Sequence, residues 1–462
     1  MDTLSDVLLT TPGANSTAIF VVSSDEFDTW QKTLSEAERN WLSRQSFTAK
    51  SGQYAWLEAD GNARVVCGWN GEADLATLGH LPLALPEGDY HLVSDITDVQ
   101  ALGWALGAYQ FDRYKAAKRQ PARLFVGTSD STRHMADAVA LGRDLINTPA
   151  EDMNPADLSE VISGLASNYE AKLKLYQGDE LLDLGARTIH AVGRAADAPP
   201  VLADLTWGDP RHPKVTLVGK GVTFDSGGLN IKPGSGIRQM KKDMGGAAIA
   251  IGLAQLIMAT QLPVQLRLLI PAAENAIAGN AFRPGDVIST YNGLTVEIDN
   301  TDAEGRLLLC DALAMASEDD PELIIDFATL TGAARIAVGT EISAMFATSD
   351  EVAQALHTHG ESADDPVWRM PIHEGYEHML KSNVADLVNS APTGYAGATT
   401  ATLFLKKFVT DVDWVHFDIM AFNTRARPGR PEGGEPMALR AVYEYLTARY
   451  GPGSQLADSP DV

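Results

Sequence analysis

Asn300-Thr-Asp-Ala-Glu-Gly-Arg-Leu307 is the stretch on which the reading of this chain turns. Asp302 and Glu304 are two apart, and in extended backbone that spacing puts both carboxylates on one side. Residues 294–298 before it read as a strand, and 306–317 after it as a helix. Charges at the end of a core strand of an α/β sheet sit where such folds place their chemistry. Further out, Lys220-Gly-Val-Thr-Phe-Asp225-Ser-Gly-Gly follows the apolar run 215–218, and Met240-Lys-Lys-Asp243-Met-Gly-Gly opens a small-residue helix. Asp225, Asp243, Asp302 and Glu304 each stand at an element boundary in apolar surroundings. Together they predict one hard-cation site, and oxygen-rich clusters of this kind suit Zn, Mn or Mg. Taken singly, Asp225 and Asp302 also read as helix caps or turn residues, both common roles for aspartate.

Around these segments the chain alternates strand and helix. Strands are expected at 173–176, 189–192, 201–206, 215–218, 266–270, 294–298, 323–327 and 414–418. This alternation predicts a mostly parallel or mixed sheet covered on both faces by helices. Upstream, 130–147 is apolar at helical spacing and stops at Asn147-Thr-Pro149, because proline disfavours helix at the residue before it. A second helix restarts at Asn154-Pro155 and runs to about residue 168. The first part reads as a small α/β domain, with strands at 18–23 and 64–68 and helices over 24–46 and 95–120. Trp104, Leu106, Phe111 and Tyr114 are its candidate core residues. The fold class is therefore α/β in two domains. Expected boundaries are 1–128 for the small N-terminal domain, 129–170 for connecting helices, 171–452 for the catalytic domain and 453–462 for a flexible tail.

At 462 residues with 45% apolar and 21% charged, the chain can bury a large core and is not a disordered one. A net charge of −25 opposes nucleic acid and anionic membranes. Lys115-Ala-Ala-Lys-Arg119 is a short basic patch expected at a helix end, where cations complement the helix dipole. Cys67 and Cys310 are far apart and imply no disulfide framework, which fits a reducing compartment. Met1–Asp6 carries acidic residues where a secretory signal needs positive charge. The longest apolar stretch, 247–260, is too short for a membrane span and holds Gln255. A cytoplasmic protein with no membrane contact is expected.

The three acidic segments resemble the signature of the leucyl aminopeptidase family, the dinuclear-metal cytosol aminopeptidases, from about Leu141 to Tyr450. The resemblance implies a macro-like N-terminal domain and a catalytic domain that removes N-terminal residues from peptides. It implies two divalent ions, Zn or Mn with Co or Mg as alternatives. Asp225 and Glu304 would bridge them. Asp302, with its own backbone carbonyl, would complete one site, and Lys220 and Asp243 the other. A lysine must be neutral to coordinate, so chemistry alone does not nominate Lys220. Lys232 would polarise the scissile carbonyl; outside the resemblance it reads as a solvated surface lysine. Arg306 would hold a bicarbonate ion as general base; the simpler reading is a salt bridge to a metal-site carboxylate. None of the ten histidines forms a His-Glu-x-x-His helix. In Asp326-Phe-Ala-Thr329-Leu-Thr331-Gly-Ala, the resemblance has Thr329 and Gly332 line the first pocket, Leu330 offer its carbonyl, and Met240 form a wall, although Met240 also reads as core filler.

Where many members of that family continue Asp-Ile-Ala-Gly, this chain has Asp418-Ile-Met420-Ala421-Phe-Asn423. Met420 and Asn423 are therefore candidates for reshaping specificity, and a leucine preference does not follow. The resemblance also implies a homohexamer with active sites facing an interior cavity. Two alternatives are a DNA-binding architectural factor on the same fold, which the acidity opposes, and a metal-binding scaffold with lost chemistry, which Lys232 and Arg306 oppose.

Overall fold

The computed structural model of the chain describes residues 3–11, 15–59 and 61–453. The chain divides into two compact units. One takes in the residues up to Ala140 together with Thr424–Glu432, the other Leu141–Asn423 and the residues from Gly433 on. Most of the tail expected at 453–462 lies outside the described residues.

In the first unit a six-stranded sheet runs in the order Leu8–Leu9, Arg123–Phe125, Asp89–Leu92, Thr17–Ser23, Asn62–Trp69, Tyr54–Ala59. Its pairs are parallel except the last. The helix expected over 24–46 is broken into Phe27–Trp30, a 3₁₀ turn Gln31–Thr33, and Glu36–Arg44. Ser35 and Glu38 cap the last piece reciprocally, a restart signal present in the sequence. The helix expected over 95–120 is only Asp98–Ala108. Trp104 and Leu106 are buried as expected, but Phe111 and Tyr114 lie past its end, and Tyr114 is 54% exposed. The Lys115–Arg119 patch is thus not at a helix terminus. The loop after Asn423 returns to this unit, where Gly429 donates its N–H to the Gly79 carbonyl at 3.2 Å.

In the second unit the helices Asp130–Asn147 (begun in the first unit) and Pro155–Asn168 match expectation. The main sheet runs Val367–Arg369, Ser343–Ala347, Asp413–Asp418, Leu323–Ala328, Lys214–Gly219, Gln265–Asn275, Val201–Trp207, Lys172–Gln177. Gly221–Asp225 joins alongside the far half of Gln265–Asn275. Leu323–Ala328 is parallel to both its neighbours, and Gln265–Asn275 is parallel to Lys214–Gly219 and Gly221–Asp225. The register Phe327↔Gly219 and Ala328↔Asp418 brings the ends of three parallel strands level. Residues 189–192 are not a strand: they lie in the helix Arg187–Gly193, whose Thr188, Ile189, Ala191 and Val192 are buried. A short apolar run of β-branched residues cannot be told from a buried helix by periodicity. The helix Gly245–Ala259 meets the length and hydropathy of a membrane span when its preceding turn is included, yet 89% of that window is buried, which makes it a core helix.

Residues 295–297 do form a strand, but in a separate three-stranded sheet with Val287–Ser289 and Leu387–Val388. Asp302 and Glu304 therefore do not follow a strand of the main sheet. Nor is their backbone extended: Ala303 donates to the Asn300 carbonyl at 3.2 Å, and Glu304 is already helical at φ −78°, ψ −34°. A tight turn converges the two carboxylates. Asn389, fully buried, clamps that turn. Its Oδ1 accepts from the Asp299 and Asn300 N–H groups at 2.8 and 3.2 Å, and its Nδ2 donates to the Asn300 and Ala303 carbonyls at 2.7 and 3.3 Å. Asn389→Ala leaves these groups unpaired and should lower the unfolding free energy by about 3 kcal/mol. Urea denaturation measures this, and a loss under about 1 kcal/mol would contradict the clamp.

Candidate active site

Every element that carries an expected ligand ends at one place. Lys220 follows the strand Lys214–Gly219; its N–H donates to the Phe327 carbonyl at 3.0 Å and its carbonyl accepts from Ala247 at 2.9 Å. That close join needs Gly246, where a Cβ would come within 2.0 Å of the Phe327 carbonyl oxygen. Asp225 ends the strand Gly221–Asp225, and its Oδ1 accepts from the Gly227 N–H and Asn275 Nδ2, both at 2.9 Å. Asp243 lies in the 3₁₀ turn Met240–Met244 at the head of the buried helix. Gly305 opens the helix Gly305–Ser317, and a Cβ there would sit 2.5 Å from Lys220 Cε. The glycine of the signature is thus the floor under the lysine.

The side chains converge as two ammonium groups among four carboxylates. Lys220 Nζ is 2.7 Å from Asp243 Oδ2 and 2.9 Å from Glu304 Oε1, and donates to the Thr329 carbonyl at 3.1 Å. Lys232 Nζ is 2.6 Å from Asp225 Oδ2 and 2.5 Å from Asp302 Oδ1. Its side chain is 16% exposed, so the solvated-lysine reading fails. Single oxygens of Asp225, Asp302 and Glu304 lie within 4.8 Å of one another. Asp243 Oδ2 and Asp302 Oδ1 touch the ammoniums off the hydrogen-bonding direction, and Glu304 Oε2, buried, has no partner among the described residues. Negative charge exceeds positive in this cluster. Burial, then repulsion from Asp225, pushes Glu304 up to about 8; burial and then Asp243 push Asp225 up as well. Burial alone would lower the lysines, but Asp243, Glu304 and Asp225 around Lys220, and Asp225 and Glu304 around Lys232, hold both ammoniums well above the usual lysine range. Asp243 goes the other way: burial would raise it, and Lys220 then Lys242 outweigh that. An oxygen-rich, over-charged pocket with an orphaned carboxylate oxygen fits divalent cations.

Arg306 is buried on the same helix. Its Nη1 donates to the Asn389 carbonyl at 2.7 Å, and its Nε has no partner among the described residues. It makes no ion pair there with a metal-site carboxylate, against the simpler reading. Burial lowers it to about 10, which leaves it cationic at neutral pH. Thr329 Oγ1 donates to Asp243 Oδ1 at 2.7 Å, so the loop at 329–331 is tied to the carboxylates. Asp418 holds the rest of that loop: it accepts from the Leu330 and Thr331 N–H groups, each at 3.0 Å, and from Thr331 Oγ1 at 2.5 Å. Met240 is buried beside Asp243. Gly332 begins the next helix, and Arg335 on it reaches Met420 Sδ at 3.4 Å. Asn423 donates from Nδ2 to Glu435 Oε2 at 3.0 Å. The supporting roles of Asn275, Asn389 and Asp418 and the place of Arg335 were missed from sequence. Their partners are mostly backbone groups distant in the chain, for which no local pattern exists.

Beside a mixed α/β sheet, four carboxylates and two lysines converge with a buried arginine nearby, an arrangement of the kind found in cation-dependent hydrolases. Residues 140–443 match the catalytic domain of the cytosol aminopeptidase family, and residues 18–127 match the M17 aminopeptidase N-terminal domain. A probable cytosol aminopeptidase of Geobacter sp. (strain M21) is 39% identical over 370 residues, spanning 76% of this chain and 75% of that one. The crystal structure of the cytosol aminopeptidase from Coxiella burnetii superposes with a TM-score of 0.92 at 47% identity, covering 96% of this chain and 100% of that one. The bottromycin maturation enzyme BotP in complex with Mn superposes at 0.84 with 34% identity, covering 94% and 99%. The chain belongs to the cytosol aminopeptidase family and is a peptidase. The match to residues 18–127 extends the resemblance well upstream of Leu141.

A pH signature follows from Glu304. It holds its proton more tightly folded than unfolded, so metal-free protein should lose stability as pH rises from the ordinary glutamate range near 4.5 to about 8. Saturating Mn²⁺, which replaces that proton, should flatten or reverse the slope. Denaturation of chelated and loaded protein across this window is the check; a chelated form that gains stability with pH contradicts the site's charge balance.

Proposed function

We propose that this aminopeptidase works with two divalent cations, held by Asp225 and Glu304 in common, by Asp302 on one side and by Lys220 and Asp243 on the other. The observation that carries this reading is the pair of ammonium groups, each lodged between two carboxylates: Lys220 at Asp243 and Glu304, Lys232 at Asp225 and Asp302. They mark two positions where positive charge is demanded. Zn or Mn, with Co or Mg as alternatives, would supply a water ionised near neutral pH and Lewis-acid charge. The relative solved with Mn supports manganese.

The chain's own groups do the rest. Lys232, with its carboxylates neutralised, is free to turn to the scissile carbonyl and stabilise the oxyanion. Lys220 would hold a cation only as the free amine, and the surrounding carboxylates favour its proton while no cation is there. Arg306 is fixed by Asn389 with Nε to spare, which suits an anion such as bicarbonate. Bicarbonate there would supply a general base. Thr329, Gly332 and Met240 line the first pocket, and Leu330, its N–H held by Asp418, presents its carbonyl to the substrate amine. The substrates are peptides with a free N-terminus, the compartment the cytoplasm and the assembly a homohexamer.

Glu304→Ala removes a bridging ligand. It should leave fewer than two metals per chain by elemental analysis and lower turnover of aminoacyl amides at least about 100-fold. Full turnover in this variant would refute the assignment, and chelation followed by Zn, Mn, Co or Mg identifies the working metal.

A further inference from the structure

Two cations beside the loop 329–331 form no ion pair among the described residues. Arg335 follows the loop on the helix Gly332–Val338. Its Nη1 meets only the Met420 thioether, at 3.4 Å, and it forms no ion pair. A Cβ placed on Gly332 would meet nothing within 4 Å except Arg335 Nη2, at 3.5 Å. The space in front of this glycine is therefore open, with a guanidinium on its edge. Lys242 stands between the pocket wall Met240 and Asp243 in sequence, is 2% exposed, forms no ion pair among the described residues, and feels the charges of both Asp243 and Arg335. Asp243, the nearest acid along the chain, is committed to Lys220 and Thr329.

Burial of Lys242 without an ion pair is costly, and for the half-buried Arg335 a thioether is a weak acceptor. An arriving carboxylate would satisfy both cations, and a planar guanidinium suits it in shape. A leucine side chain in the same place would strip water from two cations and return nothing, which selects against it. The protein as a whole carries a net charge of −25, so its general field repels anions and the selection must be local.

We propose that the first pocket takes an acidic side chain, so that this enzyme prefers peptides beginning with Asp or Glu, whose carboxylate Arg335 binds with Lys242 in support. This rests on the pocket assignment under Proposed function.

The test is kcat/KM for glutamyl, aspartyl, leucyl and lysyl amides with Mn²⁺-loaded enzyme, alongside competition by free glutamate and free leucine. Wild type should favour an acidic amide over leucyl amide, and glutamate should compete better than leucine. Arg335→Gln and Lys242→Met should each lower the glutamyl-to-leucyl ratio at least about tenfold. Arg335→Glu should shift preference toward lysyl amide. Preferred leucyl hydrolysis, with the ratio unmoved in Arg335→Gln, overturns the inference and leaves the aminopeptidase reading standing. No hydrolysis of any amide by folded, metal-loaded wild type overturns that reading itself.

Discussion

The excess of carboxylate over ammonium in a largely buried cleft is the constraint to which the rest of this structure answers. Like charges at this separation cannot all stay ionised in a poor dielectric. The cluster has three remedies: a proton, a lysine, or a metal. Glu304, pushed up to about 8, shows the first; Lys220 and Lys232 show the second. The third is stronger, because a divalent cation carries twice the charge and demands several oxygens at once. A pocket held this far from neutrality is suited to bind metal.

Such a cluster would fly apart without a rigid frame, and the frame is made of neutral hydrogen bonds. Asn275 ties Asp225 to the Thr301 carbonyl at 2.9 and 3.1 Å. Thr301 Oγ1 donates to the Gly227 carbonyl at 2.7 Å and accepts from the Asn230 N–H at 2.9 Å, which joins the loop bearing Lys232 to the turn bearing Asp302. Asn389 closes the same turn from the other side and seats Arg306. These amides and hydroxyls add no net charge, so they can fix the carboxylates without relieving their repulsion. Positioning and electrostatic tension are thus assigned to different residue types, in keeping with catalytic sites that trade stability for function.

The four carboxylates were legible in the sequence as a set at element boundaries, whereas Lys220 and Lys232 were nominated only by the resemblance. All five expected metal-site residues, with Lys232, meet in one cluster. The parallel core was legible too, since strands such as Leu323–Ala328 and Asp413–Asp418 carry several β-branched and aromatic residues between turn-rich segments. Residues 189–192 failed for the converse reason, a helix buried on nearly every side looking like such a strand. The geometry of Asp302 and Glu304 was reached by the wrong route, through pleat rather than turn. Asn389 was invisible because it recognises backbone groups about ninety residues away. A long loop after Asn423 was visible, but its return to the first unit was not.

A strained residue links this frame to the neighbourhood of Arg335. Ala421 adopts φ +54°, a left-handed conformation that costs a residue with a Cβ about 1–2 kcal/mol. Neighbouring bonds impose it. Ile419 donates to the Ala328 carbonyl at 2.9 Å, and the Glu435 N–H donates to the Ala421 carbonyl at 3.1 Å. Glu435 is itself held by Arg143 at 2.9 Å and by Asn423 at 3.0 Å, all three buried. Gly245 makes room for the methyl: a Cβ there would fall 2.3 Å from that of Ala421. The buried ion pair therefore fixes the strand end from which Met420 projects, and Met420 meets Arg335. Strain at 421 and an arginine left without a carboxylate are two ends of one construction, and the cost of both is accounted for if the missing anion belongs to the substrate.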